Sequence, residues 1–513
     1  MLIRHSLIPP LKAAVYLPGL AWRQLRADPR RAPRLAVRLL LRALPAGAGD
    51  RLRRTRLGRL AVPRPRDPRR ESADLRLLLD HDPVPHDPVD HDTSGRTPSS
   101  IKKGSNQVNI DSGCVLQFVT NALPRTNAGY TVRTHRIALA QRAMGYDTHV
   151  VTRLGYPLSQ GIADPRRYVE VDGVPYHRLL SWLPPGTPVK AVAKSADLAE
   201  RLVRELRPAV LHAVSDHHNA AVALELGRRR GLPVVYEVRG FLEDSWLSRD
   251  PSHRSTDDFY RLTRELETRR MAAADVVVTL GEAMRAEIAD RGIAPEKIIT
   301  VPNGVDEAFL QPLPDAAELR AELGIGTDVP VVGLTSSFYG YEGIDTLIDA
   351  AAVLRGRGTD VALLLVGDGP ERGALERRAA ERGVRAVFPG RVPMSSVRRY
   401  HAVLDVFAVP RRADRVCQLV TPLKPVEAMA GGIPVIASDV RALREIVEPG
   451  VTGTLTVPED PEAWADALSQ LIYSPEQRRK IGQSAREWVR VERTWRAVAD
   501  RYRSAYPVPP RTT

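Results

Sequence analysis

From Val115 onward, short runs of Val, Leu and Ile alternate with longer stretches in which apolar residues recur at helical spacing. Val115–Thr120 reads as a buried strand, Thr131–Met144 as a helix and Thr148–Arg153 as the next strand. Tyr168–Leu179 has Val-Asp-Gly-Val near its middle and predicts a hairpin. Helix and strand then alternate: Ala191–Leu206 with Ala209–Val214, Ala220–Arg230 with Pro233–Val238, and a helix ending near Ala273 before Asp275–Leu280. Continuous apolar strands separated by amphipathic helices are what a parallel sheet covered on both faces requires. Ile298–Asp306 reads as a strand leaving this domain through a turn. A second series then runs through Val329–Leu334, Val361–Val366, Asp405–Val409, Pro434–Ala437 and Gly453–Val457 to a long helical tail, Pro475–Tyr506. The expected fold is α/β, with two facing doubly wound Rossmann-like domains at 111–305 and 306–490. Residues 491–513 are expected to form a helix and tail that cross back to the first domain.

Residues 1–110 break the pattern and are expected to be a basic, Pro/Arg-rich, largely disordered extension and linker. They end in His81-Asp-Pro-Val-Pro-His-Asp-Pro-Val-Asp-His-Asp92, where regularly placed prolines remove backbone donors. Within 33–44, Arg34, Arg38 and Arg42 recur every fourth residue among Leu and Val. That pattern suits either a basic amphipathic helix on an anionic membrane surface or a solvated tail.

Charge sharpens this division. The net charge of +14 over 513 residues sits wholly in the first 70, where 18 Arg and Lys face three Asp. The remaining 57 basic and 58 acidic residues nearly cancel, which argues against nucleic-acid binding by the folded body. Cys114 and Cys417 are the only cysteines. They exclude a disulfide framework and a multi-cysteine zinc site, and they read as buried fillers in a reducing compartment. No apolar run approaches the ~20 residues that span a bilayer. A cytoplasmic protein, peripheral at most to the inner membrane face, is the expectation.

In open parallel sheets, ligands bind beyond the C-terminal strand ends, where loops and helix starts present donors to anions. The strongest such segment is Leu419-Val-Thr-Pro-Leu-Lys-Pro-Val-Glu-Ala-Met-Ala-Gly-Gly-Ile-Pro-Val-Ile-Ala-Ser-Asp439. Its prolines fit a helix start and its paired glycines a helix end. Lys424 and Glu427 then share one face near the positive end, suited to a phosphate and to ribose hydroxyls respectively. A capping Glu beside a surface Lys is the plainer reading of the same pattern. Gly367-Asp-Gly369 lacks the third glycine of a dinucleotide fingerprint, and Pro370 follows it at once.

Taken in order, Val301-Pro-Asn-Gly-Val-Asp306, Leu364-Leu-Val-Gly-Asp-Gly-Pro370, Phe388-Pro-Gly-Arg-Val392 and Leu419–Asp439 resemble the retaining GT-B glycosyltransferases of glycosyltransferase family 4. The common form there is a Glu, seven residues, then Glu-Ala-Met-Ala, Gly, Pro and a Val-rich strand. The resemblance covers Val115 to about Tyr506. It implies transfer of a sugar from a nucleotide-diphosphate sugar to a hydroxyl acceptor, in cell-surface polysaccharide or glycolipid synthesis. Glu427 would hold the donor ribose, and Gly367, Gly369, Arg391 and Val392 would frame its base. Gly129, in Asn121-Ala-Leu-Pro-Arg-Thr-Asn-Ala-Gly-Tyr130, would approach the donor phosphates. Arg133 and His135 on the helix beyond, with Glu237 and Arg239 at a strand end, are the acceptor-binding candidates.

Two departures from the family form alter the expected site. Leu419 stands where the first Glu of the pair contacts the transferred sugar. The loop that supplies Arg and Lys to the diphosphate instead holds Ser336, Ser337, Gly340 and Glu342. An acid facing a diphosphate is repulsive. The cations are therefore expected from Lys424 and Arg411, with hydroxyls and backbone from Ser336, Ser337, Gly340, Leu419, Val420 and Thr421. Arg412 and Arg415 read as solvated loop charges. A branch of the family with Tyr-Glu-Gly and Pro-Leu-Lys-Pro motifs looks similar to this chain. No Asp-x-Asp stands within 111–513, so neither metal nor other cofactor is expected beyond the nucleotide sugar. The rival readings are a degenerate binding or assembly protein on the same fold, and an isomerase or phosphorylase.

Overall fold

The computed structural model describes residues 68–82, 113–181 and 185–506. The basic amphipathic stretch at 33–44 and most of the His/Asp repeat lie outside the described residues. The strands are β1 Cys114–Val119, β2 Asp147–Thr152, β3 Tyr168–Val171, β4 Val174–Arg178, β5 Val210–Val214, β6 Val234–Val238, β7 Val276–Thr279 and β8 Ile298–Thr300. They are followed by β9 Val331–Ser337, β10 Ala362–Asp368, β11 Ala386–Gly390, β12 Val406–Val409, β13 Val435–Ser438 and β14 Gly453–Thr456. The first eight order as β3-β4-β2-β1-β5-β6-β7-β8 and the last six as β11-β10-β9-β12-β13-β14. Both orders reverse direction along the sheet, as doubly wound folds do. The pairings are parallel at β1–β2, β1–β5, β9–β10 and β12–β13, and antiparallel at the β3–β4 hairpin.

Among the described residues, one compact unit takes in those up to Tyr236 together with Glu265–Asp275. The other holds Glu237–Arg264 and Val276–Tyr506. That grouping follows contacts, while the first sheet itself runs on through β8 to Thr300. Residues 237–264 and 276–305 join the second unit because their side chains and backbone engage it. Arg415 pairs with Asp244, and the backbone N–H groups of Glu282 and Ala283 donate to Glu445 at 2.8 and 2.7 Å.

In the first unit, the helix Pro68–Asp80 lies within the segment expected to be extension and linker. It buries Leu75, Leu78 and Leu79, and Asp82 just beyond it pairs with Arg270 at 2.5 Å. Three leucines at helical spacing give this short piece an apolar face that the surrounding Arg/Pro bias conceals. In the second unit, β9 and β10 are buried along their first five residues and open only at their C-terminal ends. Apolar residues therefore fix the sheet while Ser336, Ser337, Gly367 and Asp368 are left at the rim. β11, absent from the expected strands because Pro389-Gly390 interrupts it, is an edge strand, where proline is tolerated. After the helix Pro475–Glu492 the chain returns to the 301–306 turn: Val305 N–H donates to the Arg493 carbonyl at 2.7 Å, and Trp495 covers Gly304. No helix among the described residues is long and apolar enough to cross a membrane.

Candidate active site

The second unit brings together most of the expected donor residues. Ser336 is opposite Gly367 across the β9–β10 ladder, and Ser337 is opposite Asp368. Gly367 has φ +142°, and a Cβ there would stand 1.7 Å from the Ser336 carbonyl oxygen. Only glycine lets these strand ends close. Its requirement thus comes from the neighbouring strand β9. Gly340 opens the turn Gly340–Glu342, and a Cβ there would meet nothing.

Glu342 pairs with Arg411 and lies beside Ser336 and Lys424. The Arg411 Nη2 and Nε atoms lie 3.3 and 3.4 Å from its carboxylate, while Nη1 donates to the Val420 carbonyl at 2.9 Å. Both side chains are buried. Burial works against each charge, but the partner overcomes it, lowering the Glu342 pKa and raising that of Arg411. The acid that looked repulsive is therefore neutralised internally, and much of the charge on Arg411 is spent on it.

Lys424 is the first residue of the helix Lys424–Ala430 and donates from Nζ to Ser336 Oγ at 2.8 Å. Burial lowers its pKa, opposed by the Glu342 carboxylate. One turn on, burial pushes Glu427 up to about 7, with Lys424 opposing and Asp306 adding to the rise. Lys424 and Glu427 are half-buried, so both still reach solvent. Leu419 is buried, 2% exposed, and offers no polar group. Thr421 is held by its carbonyl, which accepts from Asn303 Nδ2 at 2.9 Å. Arg391 is exposed and lies 3.8 Å from Asp368, while Val392 packs on the core of the second sheet.

Arg412 and Arg415 are partly solvated, at 37% and 41% exposed, but they are paired and not free. Arg412 binds Asp345 at 2.6 Å, and Arg415 binds Asp244 at 3.0 Å and Glu287 at 2.5 Å. Glu237 and Arg239 form a bidentate pair at 2.8 and 3.0 Å, with both side chains buried.

In the first unit, Gly129 opens the helix Gly129–Ala143 and is exposed, but Arg133 and His135 are each 2% exposed. His135 is clamped at both ring nitrogens, by the Tyr176 hydroxyl at 2.9 Å and by Asp172 at 3.0 Å. That fastens the helix to the β3–β4 hairpin. Sequence reasoning missed a different cluster at the ends of β1, β2 and β5. Arg153 Nη2 meets Asp216 at 2.6 Å, Thr120 at 3.0 Å and Asn219 at 3.2 Å. The available signal was positional: Thr120, Arg153 and Asp216 each follow a strand within two residues.

Residues 315–488 match the family model described as glycosyl transferases group 1, and residues 128–304 match that of the glycosyl transferase 4-like domain. The chain is similar to a GDP-mannose-dependent alpha-(1-6)-phosphatidylinositol monomannoside mannosyltransferase of Mycolicibacterium smegmatis. The two are 35% identical over 228 residues, covering 44% of this chain and 59% of the relative. It is also similar to a D-inositol 3-phosphate glycosyltransferase of Nocardia farcinica, 34% identical over 43% of this chain and 50% of the relative. The chain thus spans between half and about 60% of these relatives' length. Among solved structures it resembles sucrose-phosphate synthase from Thermosynechococcus elongatus, with TM-score 0.61 and 21% identity over 76% of this chain and 98% of that one. HepE of Anabaena, solved with UDP, gives TM-score 0.58 at 21% identity over the same shares. These define the class: two parallel-sheet α/β domains of the GT-B glycosyltransferase fold.

Proposed function

We propose that the chain is a retaining glycosyltransferase that moves a sugar from a nucleotide-diphosphate sugar to a hydroxyl of an acceptor in cell-surface glycolipid or polysaccharide synthesis. The observation that carries this reading is the Lys424–Ser336 contact, with Glu427 one turn further along the same helix. An ammonium and a hydroxyl at a strand end suit a diphosphate, and a carboxylate one turn away suits ribose hydroxyls. In the reaction, the bond from the anomeric carbon to the diphosphate breaks, and the acceptor oxygen bonds to the same face of the sugar. The acceptor proton passes to the departing phosphate oxygen. Lys424 stabilises the charge that develops there, Arg411 holds the Val420 backbone in place, and Glu427 orients the nucleoside. These groups need no metal, so rates with and without added Mg2+ are expected to agree.

The names of the relatives make GDP-mannose the donor to try first and an inositol-phosphate-containing acceptor the first partner. The test is a panel of GDP-, UDP- and ADP-sugars read by thermal shift, followed by transfer assays, because a bound donor raises Tm by mass action. A stabilising donor whose sugar is transferred with retained anomeric configuration supports the reading. No stabilisation by any member would overturn it. The buried Leu419, in place of a polar contact to the sugar, favours one second reading, a sugar-nucleotide-binding protein without transfer. That reading predicts stabilisation without turnover.

A further inference from the structure

We propose that Cys114, Asp147 and His149, in the first unit, form a binding site for a Zn2+-type transition-metal ion, with His177 orienting the imidazole ligand. Cys114 and Asp147 are the first residues of β1 and β2 and lie opposite each other in the parallel ladder; His149 is two residues further along the same face of β2. One ligand atom from each, the thiol sulfur, a carboxylate oxygen and a ring nitrogen, lie within 4.8 Å of one another. This is the strand-start end of the sheet, opposite in chain direction to the Thr120, Arg153 and Asp216 cluster at the strand ends, so the proposed ion has no part in the transfer chemistry.

The geometry of the pair already fits. His149 Nε2 is 3.2 Å from Asp147 Oδ1. Two ligands at ~2.0–2.2 Å from a tetrahedral zinc stand about 3.3–3.5 Å apart. The thiolate would complete a three-residue set at ~2.3 Å, leaving a fourth position for water. A metal-bound imidazole ordinarily donates its other N–H to a fixed acceptor. Here His149 Nδ1 is 2.9 Å from His177 Nε2, and the two rings are stacked with centroids 5.2 Å apart. His177 Nε2 is placed to accept that hydrogen bond. Arg142 donates to Asp147 at 2.9 Å and orients the carboxylate.

The donor set selects the ion. Thiolate with imidazole and a single carboxylate is borderline-soft and suits Zn2+ or Co2+, while Mg2+ and Ca2+ prefer all-oxygen cages. Cys114 is fully buried, but the His149 and Asp147 side chains are 13% and 34% exposed, which leaves a path from solvent. On binding, the Cys114 thiol releases its proton to solvent. Without an ion, a proton on His149 Nε2 would fill the same position, and the experiment separates the two.

The full chain, treated with chelator and dialysed, is titrated with Zn2+ alone and separately with Co2+ alone. The expected result is one equivalent of Zn2+ per chain and, with Co2+, a thiolate-to-metal charge-transfer band. Cys114→Ser should abolish that band even though Cys417 remains. His149→Gln, at a partly exposed position that tolerates change better than Cys114, should weaken Zn2+ at least tenfold. His177→Gln should weaken it by about 10- to 100-fold, the usual effect of removing a partner that fixes a ligand. Near-ultraviolet circular dichroism confirms that each variant is folded. Absence of the Co2+ band in the wild type, or Zn2+ binding unchanged in His149→Gln, would overturn the proposal.

Discussion

Lys424 Nζ donates to Ser336 Oγ across 2.8 Å, joining the first residue of a helix to the end of a strand 88 positions earlier in the chain. The contact aims the ammonium at the open rim of the second sheet. Lys424→Ala should therefore lower kcat by about 10²–10³-fold, the scale of losing one preorganised charge stabiliser. Steady-state transfer assays check this. Lys424→Arg should retain more activity than alanine but less than lysine, because the planar guanidinium does not reproduce the point charge.

Arg411 and Glu342 are each buried, so breaking their pair strands a charge. Glu342→Leu alone should destabilise the protein by about 3–5 kcal/mol, seen as a lower midpoint in urea unfolding. Combining it with Arg411→Met should recover much of that loss, since two apolar groups replace two compensated charges. If the double variant is as unstable as the single one, the pair matters through something other than its charge.

Much of this is legible in the sequence. β9 and β10 announce themselves as short apolar runs, Val-Val-Gly-Leu and Ala-Leu-Leu-Leu-Val, because both faces are buried, and the Lys424–Glu427 spacing on one helical face follows from 3.6 residues per turn. Partnership is not legible. Nothing local says that Glu342 turns to Arg411 or that Arg415 is held by Asp244 and Glu287. Such pairs span up to 171 positions and depend on which loops the sheet order brings together. The helix Pro68–Asp80 is hidden for another reason: its three buried leucines are few against the arginines and prolines around it.

Gly367 should tolerate no side chain. With φ at +142° and the Ser336 carbonyl oxygen 1.7 Å from where a Cβ would sit, Gly367→Ala adds backbone strain of about 1–3 kcal/mol to a collision with main chain. A loss of at least ~2 kcal/mol in unfolding free energy is expected, together with weaker donor binding, because relief requires Ser336 to move.

Glu427 makes donor affinity depend on pH. Its pKa of about 7 in the free protein means that a large share is protonated at pH 6 and little at pH 8. Ribose hydroxyls donate best to the ionised form, so affinity should rise with pH and level off above 8, with binding about five- to tenfold weaker at pH 6. The stability effect has the opposite sign. A carboxyl raised from 4.5 stabilises the fold fully below the unfolded value, and that contribution is lost as pH climbs from about 4.5 to 7. Glu427→Gln should flatten both trends, measured by calorimetric titration and by chemical unfolding at each pH.

His135 offers the sharpest separation between a binding role and a structural one. Its ring is buried and bridges Tyr176 and Asp172, so removing it leaves the buried Tyr176 hydroxyl without that partner and the carboxylate to solvent. His135→Ala is expected to cost about 1–3 kcal/mol of stability. Asp172→Ala should cost less, because that carboxylate is largely exposed, at 72%. Acceptor KM should change less than twofold in either variant when assayed well below the lowered Tm. A rise in acceptor KM with unchanged stability would instead place His135 at the acceptor, and would mean that the helix Gly129–Ala143 turns or unwinds there when substrate binds.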